Sequence, residues 1–260
     1  MAAHNNDGEP VLKVRGLGKS FGGVVALESL DLDLHRGEVL ALVGDNGAGK
    51  STFIKMISGL YEPTEGEIIL EGEHVETSTT AQAREHGIET VYQDTGLVDV
   101  MDLGGNFFLG RELFHPNPIL RAMGHLDRRK MHAIAHDSIT SIGAKFTGSR
   151  RKPVGLLSGG QRASILIGRA AHFGSKLLLL DEPTAALGVE QTAAVGRIVR
   201  KAASEGLPII IISHNLEEVF DVADRIVVLR LGRKAADLKA SETTREEVVA
   251  YITGAAARAA

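Results

Sequence analysis

The chain has 260 residues, 43% hydrophobic and 24% charged, which excludes a disordered polymer and suits one large domain or two smaller lobes around a sizeable core. With 29 basic and 33 acidic side chains the net charge is −4, so the basic face expected of a nucleic-acid binder is missing. The absence of cysteine excludes disulfide frameworks, zinc knuckles, iron–sulfur clusters and thiol catalysis, and fits a reducing, cytosolic home.

Residues 1–10 are polar and read as a flexible N-terminus without the features of a signal peptide. No run approaches the roughly 18 apolar residues of a membrane span. In LDLDLH, Leu30, Leu32 and Leu34 alternate with polar residues, the pattern of a half-exposed antiparallel strand. Four further runs, VLALV (39–43), IETVYQ (88–93), KLLLLDEP (176–183) and LPIIIISH (207–214), are apolar without alternation. That is the pattern of strands covered on both faces, as in the parallel sheet of an α/β protein. Between about 95 and 172 the texture changes: Met131, Ile134, Ile139 and Ile142 fall near helical spacing, which predicts a helical lobe inserted in the α/β core. The core is expected over 11–240, followed by a C-terminal helix and flexible tail over 241–260.

Residues 44–51, GDNGAGKS, satisfy G-x-x-x-x-G-K-[ST] between an apolar strand and an apolar-periodic helix. In such a loop, Gly44, Asp45, Asn46, Gly47, Ala48 and Gly49 offer backbone N–H groups to a polyphosphate, with Thr52 in the helix that follows. Lys50 neutralises phosphate charge and Ser51 offers a hydroxyl to Mg²⁺. The similar GLGKS at 16–20 is rejected, because the first glycine of the pattern would fall at Lys13. Asp181 and Glu182 end a buried strand, at the edge where open α/β sheets bind ligands. There Asp181 is placed to hold Mg²⁺ and Glu182 to deprotonate an attacking water.

LSGGQ at 157–161, just before the helical stretch RASILIGRAAHF, completes a pattern. With the phosphate loop and LLLLDEPT, it resembles the ATP-binding subunits of ABC transporters over about residues 11–237. The resemblance implies a P-loop NTPase (RecA-like) core with an antiparallel β subdomain and an inserted helical subdomain. It implies two such domains paired head to tail, Ser158, Gly159, Gly160 and Gln161 of one closing over ATP and Mg²⁺ held by the other. It further implies that Phe21, expected just before the first pair of strands, stacks on adenine. Gln93 would sense Mg²⁺ and couple to a membrane permease, and His214 would contact the γ-phosphate.

The texture of 88–112, 168–188 and 212–233 is most similar to importers of monosaccharides, of fructose or ribose type. This implies a homodimer or paired ATPase at the cytoplasmic face of the inner membrane, with permease subunits and, indirectly, an extracytoplasmic sugar-binding protein. An ABC ATPase serving another solute, or one outside transport, is the alternative. Many relatives carry Asp where this chain has Gly188, which predicts weak coupling between paired ATP sites, unless Gly188 adopts a left-handed conformation that a side chain would strain.

Overall fold

The structure, a computed structural model, describes residues 8–92, 96–144, 151–173, 175–185 and 187–256. Among the described residues, ten strands form two sheets. The first is antiparallel, in the order β2-β1-β4-β5, from β1 (Leu12–Phe21), β2 (Val24–Leu34), β4 (Glu65–Leu70) and β5 (Glu73–His74). The second has the order β10-β9-β3-β8-β7-β6. It comprises β3 (Val39–Val43), β6 (Ile88–Val91), β7 (Leu177–Asp181), β8 (Ile209–Ile212), β9 (Arg225–Arg230) and β10 (Arg233–Lys239). All its pairings are parallel except that of β10 with β9.

Nine helices lie among the described residues: α1 (Lys50–Ile57), α2 (Thr80–Glu85), α3 (Leu103–Phe107), α4 (Pro118–Ala122), α5 (Arg128–Ser141), α6 (Gly159–His172), α7 (Val189–Ser204), α8 (Leu216–Val222) and α9 (Arg245–Thr253). Helices α3 to α6 and a short 3₁₀ turn at Val154–Leu156 occupy the connection between β6 and β7. Met131 and Ile139 of α5 are buried there, with Ile142 just beyond its end.

The apolar runs become strands because both faces are covered. Every residue of β3 and β8 is buried, and Leu177 to Leu180 of β7 are fully so. One face carries Val39, Ala41 and Val43 into a core shared with α5, α6 and α7; the other carries Leu40 and Leu42 onto α1 and the antiparallel sheet. In β2, Leu30, Leu32 and Leu34 point into that second core. At the join, buried Glu38 accepts from Arg225 and from the backbone N–H of His35, while Arg225 also binds Asp237 and the carbonyl of Asp33.

Four readings shift. Phe21 does not precede the first pair of strands; it ends β1, and Gly22 and Gly23 turn the chain into β2. Strand β6 stops at Val91, and Gln93 lies outside the described residues. Helix α6 starts inside LSGGQ, at Gly159, because Ser158 and Gln161 form a capping box that satisfies the first backbone donors. Gly188 is the N-cap of α7 at φ −76° and ψ 166°, an extended conformation open to any residue, so the left-handed alternative falls. A β-carbon there meets nothing within 4 Å. Gly188→Asp should therefore fold, gain a few tenths of a kcal/mol from capping α7, and raise the Hill coefficient of ATP hydrolysis. Loss of activity in the folded variant, or strong cooperativity in the parent, would contradict this.

Candidate nucleotide site

The site is assembled at one edge of the parallel sheet. Strand β8 lies between β3 and β7, with Ile212 in register with both Leu42 and Asp181. The loops after β3, β7 and β8 therefore emerge side by side, bringing the phosphate loop, Asp181 with Glu182, and His214 to one crevice.

The phosphate loop needs its glycines. At Gly44, φ is +152° and a β-carbon would come within 2.3 Å of the Leu229 carbonyl; at Gly49, φ is +106° and it would press on Ala26 and Leu27. The turn after β9 braces the loop from behind, since Gly232 N–H donates to the Ala48 carbonyl. Asp45, Asn46 and Gly47 are exposed, as is Ser51 at the start of α1, and Thr52 is half-buried. Lys50 is buried and folds back, donating to the carbonyls of Gly44 at 2.7 Å and Asp45 at 3.0 Å. Burial pushes its ammonium below the usual lysine range, against the pull of Glu182, Asp45 and Asp181. A buried cation behind an exposed glycine-containing loop is matched to an incoming polyanion.

Burial, and then the neighbouring charge of Glu182, pushes the Asp181 carboxyl above its usual range. The folded chain thus holds that proton more tightly than the unfolded one, so this group's contribution to stability is present at acid pH and lost as pH rises through the folded value. Asp181→Asn should accordingly raise the melting temperature of the nucleotide-free protein at neutral pH by about 1–3 °C. The gain should vanish below the ordinary carboxylate range, and an equal gain at every pH would refute the electrostatic cause. The Ser51 hydroxyl and the Asp181 carboxylate are hard oxygen donors, a set that fits Mg²⁺.

Glu182 has φ 51°, a left-handed conformation costly for a residue with a side chain. Its N–H donates to the Ile212 carbonyl at 3.0 Å. Its Oε2 lies 3.4 Å from Nδ1 of His214, which is otherwise exposed. Beneath this pair, Glu218 accepts from Thr184 and Ser213, and its other oxygen accepts from Asn215 at 3.2 Å, tying the loops after β7 and β8 together. These braces are absent from the sequence reading, since their residues match no contiguous motif.

Phe21 is about half exposed and meets Tyr61 edge to face at 5.2 Å, with the Lys19 ammonium 5.3 Å from its ring centre. Tyr61, which follows α1, is a second aromatic that the sequence reading missed. Gly159 and Gly160 lie in the first turn of α6, close to Leu187 and Gln191 of the segment after β7. The Ser158 hydroxyl is engaged by the Gln161 N–H, while the Gln161 side chain accepts from Ser158 N–H at 3.1 Å.

The ABC transporter family model matches residues 27–185. A fructose import ATP-binding protein of Rhizobium meliloti is 45% identical over 247 residues, covering 95% of each chain. A xylose/arabinose import ATP-binding protein of Sulfolobus acidocaldarius is 40% identical over 94% of each. A ribose import ATP-binding protein of Rubrobacter xylanophilus is 39% identical over 94% of this chain, which spans 47% of that protein. Among solved structures, a nucleotide-free ATP-binding cassette from an ABC transporter superposes with a TM-score of 0.77, at 24% identity, over 95% of this chain and 96% of the other. Extent of match, level of identity and the strand-edge geometry agree, and this chain belongs to the ATP-binding subunits of the ABC transporter family.

Proposed function

We propose that the chain hydrolyses ATP as one half of a sandwich dimer, at the cytoplasmic face of the membrane, and thereby drives import of a fructose- or ribose-like monosaccharide through a permease. The observation that carries the ATPase reading is the convergence of the phosphate loop, Asp181, Glu182 and His214 on one sheet edge. The sugar branch rests on the names and near-complete coverage of the fructose and xylose/arabinose import relatives. An extracytoplasmic binding protein would supply the sugar.

In this reading Gly44 to Gly49 and Lys50 hold the triphosphate, and Phe21 with Tyr61 forms a shelf for adenine. Ser51 and Asp181, with Gln93 by family resemblance, would hold Mg²⁺, which when bound neutralises phosphate oxygens. Glu182 accepts the proton of the attacking water, and His214, in contact with that carboxylate, orients water and γ-phosphate. The N-terminus of α6, at Ser158, Gly159 and Gly160, brings N–H donors and a positive dipole end to the γ-phosphate on the second copy. Gln161 keeps that first turn wound through the capping box.

Reconstituted with its own permease and binding protein, the ATPase should be stimulated by a monosaccharide such as fructose or ribose. Stimulation only by amino acids, peptides or metal ions would overturn the sugar assignment and leave the hydrolytic reading standing.

A further inference from the structure

Like Glu38, Glu89 is a carboxylate buried among the described residues, and it lies away from the nucleotide-site residues described above. Glu89, on the edge strand β6, is 5% exposed and pairs in register with Leu178 of β7. Two guanidinium groups from the inserted segment converge on it. Arg111, beyond α3, donates from Nη2 to Oε1 at 3.1 Å, and Nη2 of Arg169, in the last turn of α6, lies 3.7 Å from Oε2. Arg111 also stacks on Phe173, its guanidinium carbon 4.7 Å from the ring centre. Phe173 caps the C-terminus of α6 and packs against Phe107 and Phe108.

We propose that Glu89 is a positioning residue for ATP hydrolysis, an acidic clamp that fixes the orientation of α6 on the sheet that carries the nucleotide site. The proposal rests on the reading that the N-terminus of α6 acts on ATP held by a second copy. Apolar packing alone is non-directional and lets a helix rotate or slide at small cost. The Arg111 hydrogen bond fixes distance and angle, Arg169 adds an ion pair at 3.7 Å, and the stacking of Arg111 on Phe173 carries the constraint to the end of α6. Such buried pairs contribute little net stability, because desolvation offsets attraction, so their effect is felt in geometry. A small rotation about the Arg169 end of a 14-residue helix moves the far end, which carries Gly159 and Gly160. In a dimer active site such a displacement costs rate without touching the phosphate loop.

The test uses the full-length chain. Glu89→Gln should lower kcat at least fivefold while KM for ATP stays within twofold, and Glu89→Asp, which restores the charge, should recover part of the loss. Because Glu89→Gln strands a buried guanidinium, the double variant Glu89→Met with Arg169→Met is measured alongside. It should keep the parent's melting temperature and still show the low kcat. Parental kcat in these folded variants, or loss of kcat only in step with melting temperature, would overturn the proposal. ATP-induced dimerisation in a Glu182→Gln background separates the two readings. If that background fails to dimerise, the sandwich reading falls and the role of Glu89 with it; if it dimerises equally well with and without Glu89→Gln, the clamp alone is refuted.

Discussion

Glu182→Gln should cut ATP turnover by roughly 10² to 10⁴ while leaving ATP binding intact. The substitution keeps side-chain size and hydrogen-bonding capacity and removes only the basic oxygen, so the loss measures proton transfer and not the shape of the site. The backbone sharpens the test. Glu182 sits at φ 51° with its N–H tied to the Ile212 carbonyl, and glutamine inherits the same strain, so the fold should not move. Bound but uncleaved ATP should accumulate on the variant. Turnover within a factor of ten of the parent would show that another group receives the proton.

Lys50→Ala should weaken ATP binding on the order of 10²-fold or more, read by titration with a fluorescent ATP analogue. In the nucleotide-free chain the ammonium is already buried and held by two loop carbonyls. It is thus preorganised, and its loss leaves the triphosphate charge poorly compensated in a partly dry site. Undiminished affinity in a folded Lys50→Ala protein would overturn the assignment of the phosphate loop.

The phosphate loop was legible because its chemistry is contiguous: eight residues, flanked by a strand and a helix, carry donors, cation and hydroxyl together. The buried strands of the parallel sheet were legible from uninterrupted runs such as IIII at 209–212. Strand β1 was not, because its alternation of Leu12 and Val14 with Lys13 and Arg15 ends at Gly16, where its pairing with β2 begins to shift register. The nearness of Glu182 and His214 depends on β7 and β8 being neighbours, and that is a fact of topology. Likewise Glu89 reads as one flaw in a short apolar strand until Arg111 and Arg169, far along the chain, are folded against it. Tyr61 and the Glu218 braces escaped for the same reason. Helix α6 starts three residues before the expected Arg162, because paired glycines argue against helix while the capping box that overrides them spans Ser158 to Gln161.

In the proposed sandwich ATP is held between two copies, each lending Ser158, Gly159 and Gly160 to the other. Sedimentation of Glu182→Gln with ATP and Mg²⁺, combined with counting of bound nucleotide, tests it most directly. The expected result is a dimer carrying two ATP molecules, lost when Ser158→Arg is added, since a bulky cation there blocks the facing γ-phosphate. A nucleotide-saturated monomer in the Glu182→Gln protein, or a dimer unaffected by Ser158→Arg, would contradict it.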